Sequence, residues 1–246
     1  MNGLRGHISS AFDRDLEGIQ AQIIKMGGLV EASIRDAARS LDTRDEELAE
    51  RVRKGDSAID ALEEALNEEA ARVIAIRAPT ATDLRVVLSV MRMSANLERI
   101  GDLSKNMAKR TGVLVQMQAI GGTSSSIKRM AREVERMLKD ALDSYIQRDE
   151  QLAIDVIERD NDIDQMYNTL FREFLTFMLE DPRNITACMH LHFIAKNIER
   201  MGDHVTAIAE QVVFLTSGRK PDEIRTKSDR TSTDPALSAA LDDKGA

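Results

Sequence analysis

The sequence predicts an all-α protein of six helices, arranged as two similar three-helix bundles, and three observations carry that expectation. Good helix formers (Ala, Leu, Glu, Arg, Met and Lys) dominate the 246 residues, aromatics make up only 3% and tryptophan is absent; this bias suits helices and disfavours strands. Pro79, Pro182, Pro221 and Pro235 are the only prolines, and they fall between or after the long periodic segments, where a helix can tolerate them. The chain also repeats itself. Thr43-Arg44-Asp45-Glu46-Glu47-Leu48-Ala49 returns as Gln147-Arg148-Asp149-Glu150-Gln151-Leu152-Ala153, and Asp56-Ser57-Ala58-Ile59-Asp60 as Asp160-Asn161-Asp162-Ile163-Asp164. Asn96-Leu97-Glu98-Arg99-Ile100-Gly101-Asp102 returns as Asn197-Ile198-Glu199-Arg200-Met201-Gly202-Asp203. The first two pairs are offset by 104 residues and the third by 101. Three matches in one order indicate duplication of a three-helix unit, with a small length change between helices.

The first helix is expected from about Phe12 to Leu41, with Gly27-Gly28 as a candidate kink. Thr43 and Glu46 have capping-box spacing and would open a second helix reaching about Ile76. Pro79 interrupts the chain; Thr80 with Asp83 would cap a third helix running to about Val115. Gly121-Gly122-Thr123-Ser124-Ser125-Ser126 has the composition of a flexible linker. A fourth helix follows over about Ile127 to Gln147, and Asp149 would cap a fifth that ends near Glu180. Asp181-Pro182 reads as the N-cap and first position of a sixth, ending near Gly218. The expected division is a first three-helix unit over residues 1–118 and a second over 119–218. The tail, 219–246, carries six basic and six acidic residues with no sustained periodicity, as a disordered segment would.

The net charge of −8 argues against nucleic acid as a main partner. Cys188 is the only cysteine, which excludes an internal disulfide and suits a reducing compartment. Met1 to Ser10 holds no signal-like apolar run, and no stretch approaches the roughly 20 apolar residues of a membrane span. A cytoplasmic protein is expected.

Residues four apart share a helix face. Asp56 with Asp60, Glu98 with Asp102, Asp160 with Asp164, and Glu199 with Asp203 therefore form four acidic pairs, two in each unit. Within a unit the pairs lie on the second and third helices, and antiparallel packing would bring four carboxylates together. Such a cluster repels itself unless a cation neutralises it; oxygen ligands suit Mg, Mn, Fe or Zn, divalent or trivalent. Acidic residues number 42, so one such pair means little. Recurrence at matching places means more. So does the position of Asp56 between Val52 and Ile59, and of Asp160 between Val156 and Ile163, inside apolar stripes where an unmatched charge is costly. Glu199 and Asp203 lie off the regular stripe Ile194, Ile198, Met201, Val205, Ile208, Val212, Leu215, which would put any metal at the bundle surface. Gly101 and Gly202 would admit either a ligand or a close-packed neighbouring helix. His204 is a weak ligand candidate. No Glu-x-x-His, His-Glu-x-x-His or phosphate-cradling loop occurs, and no nucleophile stands beside a base. A non-enzymatic role is expected.

The motif Glu98-Arg99-Ile100-Gly101-Asp102, repeated as Glu199-Arg200-Met201-Gly202-Asp203, resembles the paired acidic signature of the PhoU family, as does the approach Ala78-Pro79-Thr80-Ala81-Thr82-Asp83-Leu84-Arg85. The likeness spans roughly Phe12 to Gly218. It implies two pseudo-symmetric three-helix bundles, often dimeric, with metal held on the bundle surface: one site of Asp56, Asp60, Glu98 and Asp102, the other of Asp160, Asp164, Glu199 and Asp203. It further implies repression of the phosphate-starvation response when phosphate is plentiful, through the phosphate ABC transporter, its ATPase subunit included, and the sensor histidine kinase of a two-component system. Membrane contact would then be indirect. The chain departs from the family pattern at Leu103, where many members have histidine, and at Ala207, where many have asparagine. A carboxylate-bridged metalloenzyme and a helical scaffold with fortuitous acid pairs are the competing expectations.

Overall fold

The computed structural model describes residues 2–219, with side chains for Phe12 and from Arg14 onward. The expected tail lies outside the described residues, apart from Arg219. Six helices are present: α1 (Asn2–Thr43), α2 (Glu46–Arg77), α3 (Ala81–Leu114), α4 (Thr123–Gln147), α5 (Glu150–Glu180) and α6 (Ile185–Ser217). A single 3-10 turn, Pro182–Asn184, leads into α6. There is no strand among the described residues. The first three helices pack as one lobe and the last three as the other. The lobes meet where α1 lies on α4 and α3 on α6. Buried apolar side chains from all six helices join in one core, from Ile19 to Val213.

The helix junctions repeat as the sequence does. Arg44 and Arg148, both with positive φ (54° and 55°), reverse the chain between the first and second helices of each lobe. Asp45 and Asp149 then cap α2 and α5, each carboxylate accepting the backbone N–H three residues on, from Leu48 and Leu152. The cap of α2 is thus Asp45, and the capping box expected at Thr43 does not form. Thr43 is the last residue of α1, and its hydroxyl donates back to the Arg39 carbonyl. Thr43-x-x-Glu46 satisfied the motif, but the backbone reversal at Arg44 sets the next helix to start after Asp45. The left-handed conformation of Arg44 is offset locally: its guanidinium donates to the carbonyls of Leu114, Val115 and Met117, at 3.0, 2.7 and 2.6 Å, and so closes the C-terminus of α3.

Three other expectations need correcting. The first helix starts at Asn2 rather than near Phe12, and it runs unbroken through Gly27-Gly28. Gly27 marks a close approach, since a Cβ there would stand 2.3 Å from Leu142 Cδ1 on α4. The Gly-Ser-rich segment is only partly a linker. Gly122 turns with φ 82° and α4 starts at Thr123, its first turns held to Asp42 of α1 by Ser124 at 3.4 Å and Lys128 at 2.6 Å. Thr80 does stand at the N-cap of α3, but its hydroxyl faces the Asp83 carboxylate at 3.2 Å rather than a backbone N–H.

The lobes are related by an approximate dyad. Along α1 and α4 the pairs Gly27–Leu142, Arg35–Glu135 (2.9 Å) and Asp42–Lys128 occur in opposite order, so these helices are antiparallel. The same holds for α3 and α6, where Asn96 meets His204 at 2.9 Å and Arg110 meets His190 at 3.3 Å. The dyad therefore passes near Arg99 and Arg200, between the two repeated acidic motifs.

Because each N-cap aspartate satisfies an otherwise open helix N–H, Asp45→Ala and Asp149→Ala should each cost about 1 kcal/mol. For a chain of this size that lowers the melting temperature by roughly 2–4 °C. Thr43→Ala should leave it unchanged, and scanning calorimetry on the three variants separates the two capping schemes.

Candidate functional site

In each lobe the second and third helices approach closely at a glycine. A Cβ on Gly101 would lie 3.0 Å from Ile59 Cδ1 and 3.5 Å from Asp56 Oδ1. A Cβ on Gly202 would lie 3.2 Å from Asp160 Oδ1 and 3.4 Å from Ile163 Cγ2. The glycines thus allow close packing, and that packing brings a carboxylate of the second helix onto the acidic motif of the third. Asp56 and Asp160 are 3% and 4% exposed, so both aspartates in the apolar stripes are truly buried.

In the first lobe Lys105 faces three of the four predicted acids, Asp56, Asp60 and Asp102, while Glu98 lies near Arg99, Asp102 and Asp60. Lys105, on α3, places Nζ 2.5 Å from Asp56 Oδ2 and 3.4 Å from Asp102 Oδ1. Arg99 lies 3.5 Å from Glu98 and 3.9 Å from Asp102. Partial burial holds the Asp60 carboxyl above its ordinary range; the charges of Asp56, Asp102 and Glu63 add to this and Lys105 opposes it. Glu98 is also raised, first by burial and then by Asp102, Glu63 and Asp60, against the pull of Arg99. Asp60 is exposed, and Glu98 and Asp102 are half-buried. Glu63 is a fifth acid that the four-residue pairing did not include.

The second lobe buries its acids more deeply. Asp160, Asp164 and Glu199 are each 4% exposed and Asp203 is half-buried. Glu199 was expected at the surface because it lies off the main stripe of α6. It is buried because α6 is covered by α3, α4 and α5 together, which takes in more of its circumference than one stripe. Lys196 places Nζ 2.8 Å from Glu199 Oε1 and 4.9 Å from the Tyr167 ring centre. One turn beyond Gly202, Thr206 is fully buried and its hydroxyl has no hydrogen-bond partner.

Both lysines escaped the sequence reading, although their spacing was visible: Lys105 follows Asp102 by three residues and Lys196 precedes Glu199 by three, both neighbouring positions on a helix. His204 does not join the acids. It turns to the α3–α6 seam, where Nδ1–H donates to Asn96 Oδ1; burial, then the nearby Arg200 and Arg99, disfavours its protonation. Cys188 is buried in the core, as expected of a filler.

The donor set in each lobe, four carboxylates from two helices, is of the kind that hard cations take. As placed, the lysines hold carboxylate oxygens, and among the described residues no group of three acidic, histidine or cysteine side chains is arranged to hold a metal. The second lobe has three buried carboxylates, and the buried, unsatisfied hydroxyl of Thr206 lies one turn beyond Gly202. Among the described residues no helix is long and apolar enough to cross a membrane.

The family model for the PhoU domain matches twice, over residues 23–111 and 127–212, one copy in each lobe. A phosphate-specific transport system accessory protein PhoU homolog of Rhizobium meliloti is 44% identical over 92% of this chain and 96% of its own length. A homolog of the same name from Caulobacter vibrioides is 41% identical over 91% and 97%. The crystal structure of PhoU from Pseudomonas aeruginosa superposes with a TM-score of 0.82 at 35% identity, covering 85% of this chain and all (100%) of that one. A phosphate transport system regulatory protein PhoU from Streptococcus pneumoniae gives 0.78 at 28% identity, over 86% and 99%.

The raised carboxyls of the first lobe give a pH-dependent expectation. A folded-state pKa above the unfolded value means that ionisation costs stability; the cost is present at neutral pH and vanishes as pH falls below the unfolded value, about 4. Without metal, Asp60→Asn or Glu98→Gln should therefore raise the melting temperature at pH 7. Solvent screening keeps the gain to roughly 1–2 °C. Near pH 3.5 the gain should be gone, which thermal melts at the two pH values in chelator will check.

Proposed function

The chain belongs to the PhoU family, and from that premise we propose that it is a cytoplasmic negative regulator of the phosphate-starvation response and of phosphate uptake, working by protein–protein contact. What carries the reading is the match of both lobes, at high coverage, to relatives named as phosphate-specific transport system accessory proteins. Its partners on this proposal are the ATPase subunit of the phosphate ABC transporter and the sensor histidine kinase of the phosphate two-component system. In ample phosphate the complex keeps the kinase from activating the response. Contact with the membrane is indirect, through these partners.

The surface supports docking. Ile185, Met189 and Phe193 follow one another at four-residue spacing on α6 and are 46%, 40% and 43% exposed. An apolar ridge of that kind favours a protein partner, a second copy of the chain in a homodimer included. The acidic clusters are regulatory or structural elements in this scheme, not a catalytic centre. The second cluster, Asp160, Asp164, Glu199 and Asp203, is the stronger candidate to hold a divalent or trivalent ion such as Mg, Mn, Fe or Zn. Such an ion would neutralise the buried carboxylates and pin α5 to α6; Lys196 would give up Glu199 and keep the Tyr167 ring.

Deleting the gene should raise alkaline phosphatase, or another phosphate-starvation output, in cells grown with ample phosphate, and the wild-type gene should restore the low level. Output that stays low in the deletion strain, with no second copy of the family in the genome, would sink the regulator reading while leaving the fold intact.

A further inference from the structure

The chain holds only six phenylalanines and two tyrosines, yet three of these gather with a histidine where α5 meets α6. The ring centres of Phe171 and His192 are 5.2 Å apart and those of His192 and Phe193 5.6 Å. Buried Tyr167 backs them, 6.5 Å from Phe171 and 6.0 Å from His192. From α3, the Arg110 guanidinium covers the Phe193 ring at 4.3 Å and meets His190 Nδ1 at 3.3 Å. The row Phe171, His192, Phe193, Arg110 thus crosses three helices, and exposed Met189 and Ile185 continue it along α6 for about 12 Å. Arg110 is half-buried, and among the described residues it has no carboxylate partner. Aromatic rings, methionine and an arginine together are the composition of a protein-binding hot spot. The first lobe lacks it: the dyad equivalents of Phe171, His192 and Phe193 are Asn67, Met91 and Arg92, and that of Arg110 is Gln211.

We propose that this surface docks one acidic, amphipathic helix of a protein partner, whose apolar face lies over Ile185, Met189 and Phe193 and whose flank brings a carboxylate to Arg110. The proposal rests on the reading that the protein works by protein–protein contact, and it narrows the partner's chemistry. A stripe of three side chains at four-residue spacing is a ridge of the kind that a second helix packs against. The acid follows from Arg110. Covering that guanidinium without a counter-charge is costly, whereas a carboxylate can bond its edge while its face stays on the Phe193 ring. A second copy of this chain fits poorly here. A twofold contact centred on Met189 would set two Arg110 side chains in one interface, because Arg110 touches the neighbouring His190. With the hot spot confined to the second lobe, each chain takes one such helix.

The test uses the full chain and two stapled helical peptides of about 20 residues, followed by fluorescence anisotropy. Both carry leucines at three- and four-residue spacing; one has glutamates along its flanks and the other lysines. The net charge of −8 attracts the lysine peptide to the surface at large, so what counts is the binding that Phe193→Ala removes. The glutamate peptide should bind one per chain and weaken as salt is raised. Phe193→Ala should weaken it roughly tenfold or more; Met189→Ala serves if that variant does not fold. Arg110→Gln should weaken the glutamate peptide alone, and Arg110→Glu should bring the lysine peptide to the same surface. Leu88→Ala and Arg92→Ala, at the equivalent positions of the first lobe, should change nothing. No binding of the glutamate peptide, binding that Phe193→Ala and Met189→Ala leave intact, or a lysine peptide equally sensitive to Phe193→Ala in the wild-type background would overturn the proposal. In cells lacking the gene, Phe193→Ala should fail to restore the low phosphate-starvation output. If a folded Phe193→Ala restores it as well as wild type does, the docking surface is wrong and the regulator reading stands. If deletion leaves the output low while the glutamate peptide binds as described, the regulator reading falls and the surface stands.

Discussion

A carboxylate buried in the apolar stripe of a helix needs a cation, and this requirement shapes both lobes. Asp56 and Asp160 sit where a hydrophobic side chain would otherwise complete the stripe, at 3% and 4% exposure. Leaving either charge unmatched would cost several kcal/mol. The facing helix offers a glycine in both lobes, so that the carboxylate can lie against its backbone, and in the first lobe it also brings Lys105 to Asp56. A Cβ at Gly101 would crowd Ile59, and one at Gly202 would crowd Ile163 and the Asp160 carboxylate, so these side chains would have to shift. Helix packing and site chemistry are the same contact described twice.

Around that contact the rest of the molecule is a symmetric enclosure. The α1–α4 and α3–α6 pairings run antiparallel, and the lobes share one apolar core rather than two separate ones. Long methionines fill much of it; Met26, Met93, Met107, Met130, Met137 and Met201 are all fully buried, in keeping with the use of a flexible thioether where helix surfaces do not mesh regularly. Polar links then fix the register at the seam. Arg44 closes the end of α3 within its own lobe, while Arg85 crosses between lobes: it stacks over Phe214 at 5.3 Å and packs against Gly218 at the end of α6. The repeated motifs of α3 and α6 therefore meet near the dyad.

Duplication does not make the lobes equivalent. The sequence match preserves the acids and glycines but not their counter-ions: Lys105 corresponds to Thr206, and Lys196 to Ala95. Glu63 adds a fifth acid to the first lobe, where the second has Tyr167, whose ring faces Lys196 at 4.9 Å. Each lobe balances its charge with a different set of neighbours.

Features that depend on local spacing are legible in the amino-acid order alone. Six helices, their junctions to within a few residues, the repeat, the Asp149 cap and the pairing of acids on helix faces all follow from periodicity and short-range hydrogen bonding. Tertiary structure decided what depends on residues far apart in the chain. Thr43 and Asp45 were both fit to cap α2, and the reversal at Arg44, held by carbonyls seventy-odd positions away, selected Asp45. The Ser-rich stretch at 123–126 joined α4 because Asp42 of α1 receives its first turns. Glu199 became buried because three helices surround α6, and Asp56 became tolerable there because Lys105 arrives from the next helix. A single helix face records which side chains point the same way. It carries no record of what stands opposite, and burial, charge balance and the choice of cation are set by what stands opposite.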